Sequence, residues 1–294
     1  MLAGANPQQL KLHGVDHTAR PTWKLRETVE FYRDKLGLPL IHVISARGWG
    51  PSTHPDFLHF FFDSGNGSTI AFFYYLGSDQ PGTLDGRSER APLPEDHVFD
   101  ATHTAWLVES EEALQAWKAR LEAQGLGVSV ETRHEVIESI YVRDPNGYFI
   151  EFTRKLRSLG KTDADDAALT LQAAMEAENE AASENRRVTR IDSVWAKKAA
   201  LLDEREGVDE AGVRIYVPRL EEFAAIVQDA AARDECRVVR RGAYDCIEAD
   251  QPIEFRRRQL ALKPAVWYGL FTGGVRGRIT EFDRDRVVIA PLSH

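Results

Sequence analysis

The sequence predicts an α+β fold in which two βαβββ modules stand in tandem and a C-terminal α+β domain follows. Three observations predict it: apolar residues alternating with period two between turn residues, two stretches of helical spacing each set after a first strand, and the recurrence of that order between about residues 11 and 156. With 294 residues, 43% of them hydrophobic and 28% charged, the chain can bury two cores of ordinary domain size.

In the first module VDHTA reads as a strand. Leu25, Val29, Tyr32 and Leu36 then form the apolar face of a helix that Gly37 ends. Three strands follow, PLIHVI, FLHFFFD and STIAFFYYL, the last two joined across Asn66 and Gly67, a pair suited to tight hairpins. The second module opens with THTAWLV. Ser110 is its helix N-cap, Glu111 and Glu112 complement the helix dipole, Leu114, Trp117 and Leu121 supply the buried stripe, and Gly125 ends the helix. Strands GVSVET, ESIYVRD and YFIEFT complete the module, with Pro145, Asn146 and Gly147 in the last turn.

These patterns divide the chain into a first domain over 1–156, a helical linker over 157–187 and a C-terminal domain over 188–294. The linker is rich in Ala, Glu and Asp, and Leu171, Ala174, Met175 and Ala182 share one helical face in it. The last domain starts with a strand at VRIYV and continues with a helix that turns Leu220, Phe223, Ile226, Val227 and Ala230 inward. It ends on RVVIA, and its opening order leaves room for a degenerate further module. Adjacent Gly273 and Gly274 mark a tight turn.

Charge excludes several functions. A net charge of −9 argues against a nucleic-acid partner, and Arg256, Arg257 and Arg258 read as the solvated edge of a strand. Cys236 and Cys246 are too few for a disulfide framework and read as free thiols of a reducing compartment. No apolar run matches a membrane helix and the start lacks the regions of a secretory signal, so a cytoplasmic protein is expected.

Eight of the nine histidines lie between His13 and His134, which assigns histidine chemistry to the N-terminal domain. Neutral imidazole is the commonest ligand of catalytic transition metals. His17 and His103 occupy matching places in the first strands of the two modules. A lone strand histidine is more often a core or surface residue, but two at equivalent repeat positions point to a shared ligand role. Glu151 follows Gly147 by four residues inside an apolar strand, where a buried carboxylate needs a cation or hydrogen-bond partners. The equivalent position after Gly67 is Ala71, which cannot bind metal. Two imidazoles and one carboxylate leave positions open for water, substrate or dioxygen.

The stretch 11–156 resembles the vicinal oxygen chelate superfamily, which includes glyoxalase I, extradiol ring-cleaving dioxygenases, epimerases and bleomycin or fosfomycin resistance proteins. The likeness is carried by VDHTA with ETVEFYRDKLGL, by THTAWLV, and by YVRDPNGYFIEF. It implies that the paired modules curl into a metal-binding cup whose ligands are His17, His103 and Glu151. Ala71 departs from the four-ligand pattern of glyoxalase I. The three-ligand set is similar to that of the extradiol dioxygenases, which bind Fe(II) or occasionally Mn(II). In RHEVIESIYVRDPNGYFIEF, His134 and Tyr141 follow the dioxygenase order, the tyrosine ten residues before the glutamate.

The resemblance therefore implies an extradiol-type dioxygenase that opens a catechol-like ring, with one divalent metal, Fe(II) first and Mn(II), Zn(II), Ni(II) or Co(II) as alternatives. Tyr141 would hydrogen-bond a substrate oxygen. The dioxygenase second-sphere histidine falls near Ser68, where no imidazole stands, so His134 or His59 would move protons in its place. His42, His54 and His97 have weaker claims, and residues 45–55 and 77–100 read as loops at the rim of the cup. A glyoxalase-like lyase, isomerase or epimerase without redox change is the alternative. A small-molecule-binding resistance protein is a further one. Homo-oligomers are compatible with each.

Overall fold

Alternation and turn chemistry build the first sheet directly from the chain. In the computed structural model, which describes residues 14–48, 54–82, 100–208 and 212–292, β1 (His17–Thr22), β2 (Leu40–Ala46), β3 (Phe57–Gly65) and β4 (Ser68–Tyr75) form one sheet in the order β1–β4–β3–β2. β1 runs parallel to β4, and the other pairs are antiparallel. Asn66 and Gly67 both have positive φ, 54° and 76°, as the expected hairpin turn requires. One face of the sheet buries Phe60, Phe62, Ile70 and Phe72 against Phe31, Tyr32 and Leu36.

The helix before β2 is α-helical over Leu25–Val29 and widens to π-helix over Glu30–Lys35. The wider turn accounts for an unforeseen feature, the burial of both Phe31 and its neighbour Tyr32. Gly37 at φ 78° ends it, as expected.

The second module repeats the plan with β5 (Thr104–Leu107), β6 (Thr132–Arg133), β7 (Ile137–Arg143) and β8 (Phe149–Lys155), in which β5 runs parallel to β8. Its helix, Glu111–Ala123, is capped by Ser110, whose side chain accepts from the Ala113 N–H, and Leu114 and Leu121 are fully buried. The strand expected at GVSVET shrinks to β6. Ser129 explains why: its N–H donates to the Tyr141 carbonyl and its own hydroxyl accepts the Tyr141 N–H, so a side chain stands where a ladder carbonyl would.

Lys118 and Gln115 of that helix hold Glu131. The Lys118 ammonium beside it, then its own backbone N–H and the Gln115 amide, bring the Glu131 carboxyl down to about 2. A depressed pKa means stabilisation present above the unfolded value of about 4.3 and lost as pH falls through the folded value. A carboxyl-resolved NMR titration is expected to show Glu131 deprotonated down to that range, and to show its pKa return toward about 4.3 in Lys118→Met.

The chain divides into two compact units, Met1–Glu131 with Ser139–Arg154, and Thr132–Glu138 with Lys155–His294. In the second unit the helix Lys161–Ser183 packs on the helix Asp192–Glu206 and is part of that unit rather than a linker. Its buried face is Leu169, Ala173, Ala177 and Ala181, whereas Leu171 and Met175 are 64% and 61% exposed. Alanines let the two helices approach closely, so the long side chains of the expected face turn outward.

The second unit continues with β9 (Val213–Pro218), a 3₁₀ turn at Glu221–Phe223, the helix Ala224–Ala231, β10 (Arg237–Arg241), β11 (Tyr244–Ala249) and β12 (Ile253–Arg256). The helix Pro264–Tyr268, β13 (Val275–Arg276), β14 (Arg278–Phe282) and β15 (Arg286–Ala290) complete it. Phe223, Ile226 and Ala230 are buried as expected. The sheet order is β10–β11–β9–β13 with β9 antiparallel to β11, and β12–β15–β14 form a separate sheet. A third βαβββ module would need its first strand parallel to its last, as in β1 and β4, so this unit is not one. Gly273 does more than turn: a Cβ there would lie 2.1 Å from the Tyr216 carbonyl oxygen, and only glycine permits that approach. Arg257 and Arg258 lie in the turn after β12, and Arg256 and Arg258 pair with Glu254 and Asp285. Among the described residues no helix is long and apolar enough to cross a membrane, and both cysteines are free.

Candidate metal centre

All three expected ligands belong to the first unit. His17 opens β1, His103 stands one residue before β5, and Glu151 lies in β8. The register that pairs Ala105 with Glu151 sets the carboxylate beside the start of β5. His103 Nε2 is 3.0 Å from Glu151 Oε2, with the glutamate 3% exposed.

The tautomer of His103 follows from its other nitrogen. Nδ1 lies 3.0 Å from the Asp100 carbonyl oxygen, an acceptor only, so Nδ1 carries the proton and Nε2 points to the carboxylate. An Nε2 lone pair facing a carboxylate oxygen needs a cation between or beside them, a proton or a metal ion. His17 is arranged the same way: its Nδ1 is 2.7 Å from Asp16 Oδ1, which leaves Nε2 as the free donor atom. A histidine whose second nitrogen is held by a carboxylate or carbonyl is the usual form of a metal ligand.

The structure brings His103 and Glu151 together but does not bring His17 to them. Among the described residues no three His, Cys, Asp or Glu side chains form a metal-holding group. His17 is about half exposed and rests edge-on against Phe61 at 5.8 Å. Ala71 is fully buried and paired with Ala19 and Phe61, so β4 supplies no fourth ligand.

Three histidines touch Phe61: His17, His42 at 5.5 Å and His59 at 4.2 Å. His59 also stacks on Phe73 at 3.6 Å and has its Nδ1 3.1 Å from the Phe72 carbonyl. Nδ1 is thus the donor and Nε2 a free acceptor. Burial, with the nearby His17 and His42, pushes the His59 pKa down and favours the neutral ring. His134 belongs to the second unit. His54 is bound to the Pro55 carbonyl, and His13, His97 and His294 fall outside the described residues, as do parts of both expected rim loops. Ser68 donates its hydroxyl to the Val15 carbonyl.

Tyr141 stacks on Phe149 at 5.2 Å, and its hydroxyl faces Glu151 and Ser139. Burial and the Glu151 carboxylate raise its pKa, so the phenol keeps its proton. The β7–β8 hairpin explains the placement. Its turn is closed by the Asp144 N–H to the Tyr148 carbonyl, and counting back sets Tyr141 across from Glu151 and Ser139 across from Thr153. Ser139, Asp16 and Asp100 escape sequence reasoning, although this register would have pointed to Ser139.

The family model described as the Glyoxalase/Bleomycin resistance protein/Dioxygenase superfamily matches residues 14–152. No curated protein matches the chain. Similar solved structures include a lactoylglutathione lyase from Agrobacterium tumefaciens, at 19% identity over 49% of this chain and 94% of that one, with a TM-score of 0.33. A glyoxylase/bleomycin resistance protein/dioxygenase domain from Frankia sp. EAN1pec is 19% identical over 51% and 96%, with a TM-score of 0.36. A fosfomycin resistance protein from Listeria monocytogenes, complexed with Mn(II) and 1S,2S-dihydroxypropylphosphonic acid, is 21% identical over 51% and 96%, with a TM-score of 0.33.

Proposed function

Because residues 14–152 belong to the Glyoxalase/Bleomycin resistance protein/Dioxygenase superfamily, we propose that the first unit is a metal-dependent enzyme holding one divalent cation with His17, His103 and Glu151. The observation that carries this reading is the 3.0 Å approach of His103 Nε2 to the buried Glu151 Oε2, with Nδ1 of the same ring committed to a carbonyl. The chemistry of the donor set, two imidazole Nε2 atoms and one carboxylate, suits Fe(II), and also Mn(II), Zn(II), Ni(II) or Co(II), while only His103 and Glu151 stand together in this structure.

The substrate is a small molecule with two neighbouring oxygens, a catechol in the first instance, and the reaction is extradiol-type ring cleavage. Bound Fe(II) would supply the redox step between the diol and dioxygen. Tyr141 keeps its proton beside Glu151 and donates it in a hydrogen bond to a substrate oxygen. His59, neutral and with Nε2 free, accepts a proton from a substrate hydroxyl. Phe61 and Phe73 give a flat ring an apolar wall.

A second reading rests on Ser68, whose hydroxyl is tied to a carbonyl at the place where the dioxygenases carry their acid-base histidine. It is a non-redox lyase, isomerase or epimerase in which the cation only polarises a substrate oxygen. Oxygen uptake separates the two. Fe(II)-reconstituted protein is expected to consume dioxygen with catechols while a ring-fission chromophore appears. Full metal loading without uptake on any catechol would reject the dioxygenase and leave the non-redox reading.

A further inference from the structure

The second unit holds a cavity lined only by its own residues, about 400 Å³ in volume, a size usual for small-molecule sites. The helix Lys161–Ser183 gives it Asp163, Asp166, Ala167, Thr170 and Leu171, which recur at the spacing of one helical face. Val136, Leu159, Leu220 and Phe223 make the rest of its wall mostly apolar. Glu135 and Glu222 bring the carboxylates on the wall to four. Two cations accompany them. The Arg157 guanidinium has five N–H groups, and all are committed: Nε and Nη2 donate to Glu222, Nη1 and Nη2 to Asp163, and Nη1 also to the Ser158 carbonyl. The fully buried Lys198 ammonium has three, which go to Asp166 at 2.6 Å, the Thr170 hydroxyl at 2.7 Å and the Thr272 carbonyl at 2.6 Å. Glu135 is left over. Among the described residues no hydrogen bond or ion pair reaches its carboxylate. Its Oε1 lies against Gly269, where a Cβ would come within 3.0 Å of it. Burial, then the Glu222 carboxylate, holds its pKa above the usual value against the pull of Arg157. A carboxylate beside an apolar cavity without a counter-ion is costly, and a cation entering that cavity would satisfy it.

We propose that this cavity binds a small primary ammonium ion with an apolar body, whose nitrogen donates to Glu135 and whose chain lies against Leu171, Leu220 and Phe223. Charge selects the occupant. Four carboxylates face two cations, so an anion is repelled, and a neutral apolar molecule leaves Glu135 without a counter-ion. The ammonium group brings the N–H donors that Arg157 and Lys198 have already committed, and its charge makes the bond to the carboxylate a strong one. The metal centre of the first unit has no part in this site.

The test follows leucine methyl resonances of the whole chain during titration with n-butyl-, n-hexyl- and n-octylammonium, with 1-hexanol and hexanoate as controls of matched length. Saturable shifts at Leu159, Leu171 and Leu220 are expected with n-hexylammonium, at concentrations about tenfold or more below those hexanol needs, and none with hexanoate. Glu135→Gln is expected to weaken n-hexylammonium binding by about tenfold or more, the worth of one hydrogen bond to a charged group, and to leave hexanol binding within a few-fold of wild type. Glu135 has no bond within the fold to lose, so the variant should fold, as circular dichroism would verify; if it does not, the wild-type comparison of amine with alcohol decides alone. Hexanol binding as well as hexylammonium, binding of hexanoate, or no saturable shift of these methyls with any of the three ammonium ions would overturn the site. Undiminished hexylammonium binding by Glu135→Gln would overturn it too.

Discussion

Glu151→Gln is expected to lose its divalent cation and, with it, all measurable turnover. The amide has nearly the shape of the carboxylate and can still accept from Ser139, so the fold should survive, as circular dichroism would verify. The charge does not survive. Loss of a residue that merely orients a ligand costs about 10–100-fold in metal affinity, so loss of the only carboxylate ligand should exceed about 100-fold. Calorimetric titration with Mn(II) or Zn(II) checks this, and an affinity within a few-fold of wild type would show that Glu151 is no ligand.

Asp144→Ala is expected to give the largest loss of stability. Asp144 is 1% exposed and accepts from the backbone N–H groups of Asn146 and Tyr148, from the Asn146 side chain and from the Tyr32 hydroxyl. Burial pushes its carboxyl pKa up, and the hydrogen bonds oppose that rise. Alanine would leave these buried donors without an acceptor, at about 1–3 kcal/mol for each and less than additively, for roughly 3–5 kcal/mol in all. Thermal unfolding should fall by roughly 10 °C, since each kcal/mol moves a domain of this size by a few degrees. The damage should reach the metal centre. Asn146, which Asp144 orients, accepts from Thr22 and donates to Thr28, and so ties the β7–β8 turn to the module that carries His17. Weakened metal binding at temperatures where the variant is still folded is therefore expected as well.

The repeat made much of this legible in the sequence. His17 and His103 stood out because they are equivalent positions of two modules. Glu151 stood out because a carboxylate in an apolar strand needs a partner, and its 3% exposure bears out that burial. Other features depend on pairing that no single segment encodes. Ser139 is an ordinary strand serine until the hairpin register sets it beside Glu151 and Thr153. Val128 and Val130 have strand chemistry, but Ser129 replaces the backbone pairing there with its own hydroxyl. The helix Lys161–Ser183 carries two apolar stripes, and only the neighbouring helix decides that the alanine stripe faces inward. The acceptors that set the histidine tautomers, Asp16 and the Asp100 carbonyl, flank their histidines without any period to mark them.

His17 is the expected ligand that stands apart from the other two in the structure, so the three-ligand site depends on it most. The most direct measurement is the metal content of anaerobically purified, Fe(II)-reconstituted wild type and His17→Ala, by mass spectrometry after removal of free metal. One tightly held cation per wild-type chain and little or none in the variant is the predicted result. A wild type that retains no cation, or a His17→Ala protein that retains as much as the wild type, would contradict the site.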